Sequence, residues 1–504
     1  MALLRRRTPR RTIRVAIIGA GFGGIAAAIK LRQRTSATFT IFEQSADVGG
    51  TWYDNRYPGC EVDIPSHAYS FSFLKYDWPR THARQPELLQ YAREIVENFG
   101  LRPHLRLNTK VTEAVWDDEQ RHYTVRLADG STEVFDVVIS ALGLLSVPNY
   151  PDWPGLDEYR GVRFHTSRWP QDVDLEGKRV AVVGTGSTAA QVVPGIADDV
   201  GSLLVFQREP GWIEPKRERE FTARERWVYR HVPGAQWVHR GYLFYGSIAR
   251  FRGYDASSAM QQSMRQRCLD YIRSTVQDPA TRDAVTPDYP WGCKRPVVAS
   301  TFYEALNLPH VELVPHPVAS VTDKGLVDER GVHHDVDVLV LSTGFQPTRF
   351  LANLEVTGIG GRSIHDAWTE RASAFLGVTV AGFPNFFILY GPNTNGGFSI
   401  IAQLERQAEV AAQAVRKLEL GAGHVDTDPR AQRRWVAWID DQIARKANAM
   451  EAGCRNYYHA PGGANITQWP GAHLKYLVAT RLLSRIGIRA VPAPPVTATE
   501  PVRA

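Results

Sequence analysis

The chain carries one glycine pattern twice, with Gly19 and Gly184 lying 165 residues apart. The first copy, Gly19-Ala20-Gly21-Phe22-Gly23-Gly24, follows the apolar run Val15-Ala16-Ile17-Ile18. The second, Gly184-Thr185-Gly186-Ser187-Thr188-Ala189, follows Val180-Ala181-Val182-Val183. Each copy has a strand-like run before it and a helix-like pattern after it, which turns a weak G-x-G-x-x-G match into a dinucleotide site. The glycines permit a tight turn and let the backbone approach a pyrophosphate resting on a helix N-terminus. The pattern therefore predicts an α/β chain with two Rossmann-like dinucleotide-binding domains. Two nucleotides on one chain point to electrons passing between them.

The residue ending the second strand of each unit separates the nucleotides. After the first fingerprint, Thr38-Phe39-Thr40-Ile41-Phe42 runs into Glu43. A carboxylate there accepts ribose hydroxyls and repels a 2′-phosphate. After the second, Leu203-Leu204-Val205-Phe206 runs into Gln207-Arg208. A guanidinium favours a 2′-phosphate through forked, charge-assisted hydrogen bonds. The first site reads as FAD and the second as NADPH. The competing reading makes Glu43 and Arg208 ordinary solvated loop charges.

At 504 residues the chain is long enough for two or three domains. Its expected organisation is discontinuous: a basic tail at 1–11, an FAD-binding domain at 12–150 and 348–490, and an NADP-binding domain at 151–213 and 292–347. A helical insertion, rich in Arg and aromatics at helical spacing, fills 214–291, and a Pro-rich disordered tail covers 491–504. The net charge of +6 is mostly local, since Arg5, Arg6, Arg7, Arg10 and Arg11 supply five charges. That tail reads as solvated rather than as a nucleic-acid arm, so no nucleic-acid partner is expected. Cys60, Cys268, Cys293 and Cys454 contain no C-x-x-C pair, which argues against a disulfide framework or a zinc site and fits a reducing cytoplasm. No run of eighteen apolar residues suggests a membrane span.

The run Tyr159-Arg160-Gly161-Val162-Arg163-Phe164-His165-Thr166-Ser167-Arg168-Trp169-Pro170 resembles the signature of type I Baeyer–Villiger monooxygenases, F-x-G-x-x-x-H-x-x-x-W-[P/D], with Tyr in place of the first Phe. The stretch from Gly49-Gly50-Thr51-Trp52 through Tyr57-Pro58-Gly59 to Asp63 is similar to the family's second long motif. Gly292-Cys293-Lys294-Arg295-Pro296, Ser342-Thr343-Gly344-Phe345 and Gly382-Phe383-Pro384-Asn385-Phe386-Phe387 follow in family order, so the resemblance spans roughly 12 to 490.

The resemblance implies insertion of one oxygen atom from O2 beside a ketone carbonyl, through a C4a-peroxyflavin, to give an ester or lactone. It places catalytic roles on Arg295, which stabilises negative oxygen, and on Asp63, which positions Arg295. Cofactor contacts are implied at Gly19, Gly21, Gly24, Glu43, Thr51, Trp52, Tyr53, Asp54, Asp63, Tyr69, Val111, Thr185, Gly186, Ser187, Thr188, Gln191, Arg208, Lys294, Arg295, Ile401 and Tyr457. No metal is implied. The flavin does the difficult chemistry, and a guanidinium suits the site because it cannot give up its proton. His165 and Trp169 read as residues coupling NADPH binding to domain closure. Three departures stand out: Glu209 where a hydroxyl residue is usual, Asn456-Tyr457-Tyr458 for Ser-Trp-Tyr, and Asn393-Thr394-Asn395-Gly396-Gly397 for a more apolar loop. Two other classes stay open: S- or N-oxygenation by related flavin enzymes, and a non-catalytic flavin-binding redox protein. The partners expected are a ketone and O2, and a monomer is plausible.

Overall fold

The computed structural model describes residues 12–446, 456–460 and 462–492. Residues 1–11, Cys454 and the chain from 493 onward lie outside the described residues.

Two parallel five-stranded sheets dominate, and each is built around a glycine-ended strand. In the first, Arg14–Ile18 lies between Thr38–Phe42 and Val137–Ser140, with Leu105–Arg106 and Phe386–Ile388 at the edges. In the second, Arg179–Val183 lies between Ser202–Phe206 and Val338–Leu341, with Val311–Val314 and Val162–His165 outside them. Both central strands have four consecutive buried residues, the apolar run expected where helices cover both faces of a parallel sheet. Each sheet carries a smaller sheet beside it: a mixed one of four strands at the first unit, with Glu355–Thr357 parallel to Val111–Asp117, and an antiparallel one of three at the second.

The two turns are built alike. Gly19 has φ +104° and Gly184 φ +119°, and a Cβ on either would lie 2.7 Å and 2.5 Å from the carbonyl oxygens of Ala141 and Ser342. Only glycine meets both demands, positive φ and backbone contact. Helices then start at Phe22 and at Ala189, running Phe22–Arg34 and Ala189–Ile196. The long helix Ile400–Glu419 covers the first of these, joined at its rim by an Arg34–Glu409 ion pair at 3.1 Å.

The chain passes between the sheets twice. Residues 143–150 leave the first sheet and residues 343–348 leave the second, and the two crossings run side by side. Asn149 N–H donates to the Gly344 carbonyl at 2.8 Å, Gln346 N–H to that of Val147 at 3.0 Å, and Pro148 and Phe345 form an antiparallel bridge.

The region expected to be a helical insertion contains the helices Ala223–His231, Ala235–Phe251, Ala259–Thr275 and Pro279–Ala284. Short strands Ile213–Glu214 and Val297–Val298 pair in parallel at its base. Two expectations need correction. Of the stretch read as disordered from 491, Val491 and Pro492 end the strand Ile488–Pro492, which pairs with Ala422–Thr427; the remainder lies outside the described residues. A proline is tolerated at the end of such an edge strand, where its missing N–H costs no ladder bond. Among the cysteines, Cys60 and Cys268 are free and buried, but Cys293 is disulfide-bonded. Local spacing carries no information about a pairing between distant cysteines.

Candidate active site

The first glycine turn opens a groove lined by Gly19, Gly21, Glu43, Thr51, Trp52, Asp54, Tyr69 and Val111. Gly24 does not line it; a Cβ there would lie 1.8 Å from the Gly19 carbonyl oxygen, so this glycine serves close packing of helix on turn. Glu43 is no solvated loop charge. It is buried, and its two oxygens accept the N–H groups of Ala20 at 2.7 Å and Ser45 at 2.8 Å. Those bonds fix the carboxylate at the groove wall. The glycine turn, the fixed acid and the helix N-terminus together fit an adenine dinucleotide. Besides Gly24, two more of the expected contacts lie outside the groove: Tyr53 stacks under the Arg56 guanidinium at 4.2 Å, and Ile401 is core while its neighbour Ile400 lines the wall.

One end of the groove opens into a cavity of about 660 Å³, and Thr51, Trp52, Tyr69, Gly143, Tyr390 and Ile400 border both. Ser187, Thr188 and Gln191 from the second glycine turn and its helix reach the same cavity, so the two nucleotide units share one chamber. Asp63 and Arg295 face each other on its wall, with Arg295 Nη2 3.3 Å from Asp63 Oδ2. Arg295 comes from the second unit and Asp63 from the first. The Arg295 side chain is 46% exposed and lines the chamber. Burial opposes its charge; the Asp63 carboxylate, and after it the phenol groups of Tyr458, Tyr254 and Tyr457, more than offset that and hold it protonated more firmly than an ordinary arginine. The site thus keeps a permanent positive charge next to the end of the nucleotide groove.

Arg208 and Lys294, expected at the NADPH, sit apart from the chamber. Lys294 is ion-paired with Glu209 and lies 4.7 Å over the Tyr289 ring, while Arg208 is exposed beside them. Thr185 Oγ1 donates to the Glu209 carbonyl at 3.4 Å, and the position of a Cβ on Gly186 is open. Tyr457 is exposed, with its hydroxyl 3.2 Å from that of the buried Tyr458, and Asn456 donates to the Cys293 carbonyl at 2.9 Å.

His165 is buried. Its Nδ1 accepts the Ser167 N–H at 3.1 Å, which leaves Nε2–H to donate to the Gly344 carbonyl at 2.9 Å. Burial pushes its pKa down, so the ring is neutral and saturated with partners. That arrangement ties the signature segment to a crossing rather than offering an acid or base. Trp169 packs edge-on against Phe164 at 4.9 Å, and Arg168 reaches Asp54 of the first unit at 3.6 Å.

Gln191, expected as a cofactor contact, grips the loop before Asp63: its Oε1 accepts from Tyr57 Oη at 3.0 Å and its Nε2 donates to the Glu61 carbonyl at 3.1 Å. Other residues of the chamber escaped the sequence reading. The buried Lys216 ammonium lies 2.6 Å from Glu61. Burial pushes the Glu61 carboxyl up to about 7 while Lys216 holds it down. Arg250 pairs with the buried Glu214 at 2.7 Å. Glu61 stands two residues before Asp63, so period-two alternation could have flagged it; nothing local pointed to Lys216, Arg250 or Tyr254.

Residues 12–221 match the model of the flavin-binding monooxygenase-like family. A Baeyer-Villiger monooxygenase of Streptomyces coelicolor is 39% identical over 93% of this chain and 91% of its own length. One from Pseudomonas aeruginosa is 37% identical over 94% and 90%. Among solved structures, cyclohexanone monooxygenase from Rhodococcus sp. Phi1 bound to NADP+ superposes with a TM-score of 0.86 at 31% identity, covering 96% of this chain and all of that one.

Proposed function

The chain belongs to the Baeyer–Villiger monooxygenases, and from that premise we propose that Arg295 and Asp63 are the charge pair at which its oxygen transfer takes place. The enzyme uses FAD and NADPH to insert one atom of O2 beside a ketone carbonyl, giving an ester or lactone. The bound flavin, once reduced by NADPH, supplies the activated oxygen. The protein's share is to hold charge, orient the ketone and keep water out.

The observation that carries this reading is the position of Arg295 on the chamber wall, where the flavin groove opens. Negative charge that develops on the transferring oxygen next to the ketone would meet a fixed guanidinium with little water to screen it. Asp63 keeps the planar fork in register from the opposite unit, so the positive charge reaches its place only when the two units are docked. Glu43 and the first glycine turn would hold the FAD. Ser187, Thr188, Gln191, Arg208 and Lys294 would hold the NADPH.

The test is ester or lactone formed per NADPH consumed, on a panel of a cyclic ketone, an aryl ketone and a thioether. Arg295→Ala is expected to keep its flavin and lose about a hundred- to a thousandfold in oxygenation rate, the usual cost of deleting one such electrostatic group. Residual NADPH oxidation should then release hydrogen peroxide. Near wild-type coupling in this variant, or a preference for the thioether, would remove Arg295 from the role and favour heteroatom oxygenation.

A further inference from the structure

The helix Ala235–Phe251 is a wall one helix thick. Leu243, Gly246, Ser247, Arg250 and Phe251 line the chamber, and their spacing of three and four places them on one stripe. The opposite stripe faces solvent with large rings: Trp237 is 73% exposed, Tyr242 71% and Tyr245 77%. At Phe244 this helix meets the start of another, His473–Gly487, through a ring contact of 5.2 Å with His473. The second helix exposes Leu474, Val478, Leu482 and Ile486 at intervals of four residues, the last of them 73% exposed.

The charge on these helices is one-sided. Neither the 17 residues of the first nor the 15 of the second include an Asp or Glu. Exposed Arg481 and Arg485 lie within the second, and exposed Arg252 follows the first. A helix facing only water normally carries acids and bases in alternation on its outer face. Aromatic and aliphatic stripes flanked by cations alone match the headgroup layer of an anionic bilayer, where Trp and Tyr rings settle and arginine stems lie along apolar surface.

We propose that this face docks on an anionic lipid surface, and that the natural ketone is an apolar molecule that partitions into lipid and reaches the chamber beside this helix. The second clause rests on the oxygenation reading above; the first does not. Docking would place the chamber wall against the phase in which such a ketone is concentrated. No helix among the described residues is long and apolar enough to cross a membrane, so the attachment is peripheral.

The FAD-loaded full chain is sedimented with sucrose-filled vesicles of phosphatidylcholine, with and without phosphatidylglycerol. The expected result is binding to the anionic vesicles, release by added salt, and a loss of about tenfold or more in the Trp237→Ser/Tyr242→Ser/Tyr245→Ser variant. These side chains are solvent-exposed, so the variant should keep its flavin spectrum and its turnover of a water-soluble ketone. Wild-type protein that stays in the supernatant, or a variant that binds as well as wild type, overturns the proposal. So does a lipid-free dimer that the triple variant splits, since a second copy would then be the occupant. Vesicle binding without oxygenation of any ketone would sink the substrate clause and the oxygenation reading, and leave docking intact.

Discussion

Gly21 and Gly24 are three residues apart, and the space around them differs completely. A Cβ on Gly24 would strike the Gly19 carbonyl oxygen, whereas on Gly21 its nearest contact is Gly50 Cα at an ordinary 3.5 Å. Gly21→Val is therefore expected to fold and to occupy the groove, so that gel-filtered protein is colourless with an unchanged far-UV spectrum. Gly24→Ala should instead lower the melting temperature. A full flavin spectrum in Gly21→Val would displace the FAD from this groove. At the second site Glu209 already neutralises Lys294, so an incoming 2′-phosphate must displace a carboxylate. Glu209→Thr should lower the Michaelis constant for NADPH and leave that for NADH unchanged. Lys294→Ala should raise it by one to two decades, since a charge-assisted contact contributes about 1.5–3 kcal/mol. Equal effects on both nucleotides would show that these residues do not read the phosphate. Arg208, Glu209 and Lys294 were each legible in the sequence; the ion pair that links two of them across 85 positions was not.

Strands, turns and fingerprint helices were legible because their patterns are local: an apolar run, a glycine turn, a helical period. In the insertion, periodicity gave helices but not which stripe each would bury, because aromatic and basic residues occur on both sides of Ala235–Phe251. What seats the insertion on the first unit is a small aromatic cluster around His67, which lies 5.2 Å from Phe221, 4.7 Å from Tyr229 and 5.1 Å from His239. Arg240 adds a hydrogen bond to the His67 carbonyl at 2.9 Å. Burial, reinforced by His239 and Arg240 and opposed by Asp77, pushes the His67 pKa down to about 3. Since that value lies below the unfolded one, the unfolded chain binds this proton more readily. The stabilisation is full above about pH 6.5 and is lost as the pH falls toward 3. His67→Phe should keep the cluster and remove the titration. Its melting temperature should then fall less than that of wild type between pH 7 and pH 4.5, by about 2–4 °C. Parallel curves would mean that other groups govern acid stability; His82 and His473, both held down to about 4 by burial, are the ones to examine next.

The contacts that join the first nucleotide unit to the second and to the insertion gather around the chamber: Tyr57–Gln191–Glu61, Arg168–Asp54 and Arg295–Asp63 between the units, and Lys216–Glu61 from the insertion. The sequence announced both units and the two ends of the Arg295–Asp63 pair, through family motifs. It could not announce the other pairings, because each joins positions more than a hundred residues apart that no local rule relates. Gln191→Ala removes the grip on the loop that carries Asp63 and leaves buried polar groups unmatched, a cost of about 1–3 kcal/mol. Its expected signature is a lower yield of product per NADPH, with more hydrogen peroxide and an unchanged flavin spectrum. Unchanged coupling would show that the loop is held well enough without it.

The paired crossings at 143–150 and 343–348 have a mechanical consequence. A single linker would let one half of the enzyme swivel freely against the other. Two linkers lashed together by backbone hydrogen bonds form a flat ribbon, which flexes across its width and stiffly resists torsion. His165 clamps this ribbon at Gly344, where the flexing would begin. Any opening of the halves would be limited to something close to the travel of a door on its hinge, and a closing would bring Arg295 back to the same place opposite Asp63.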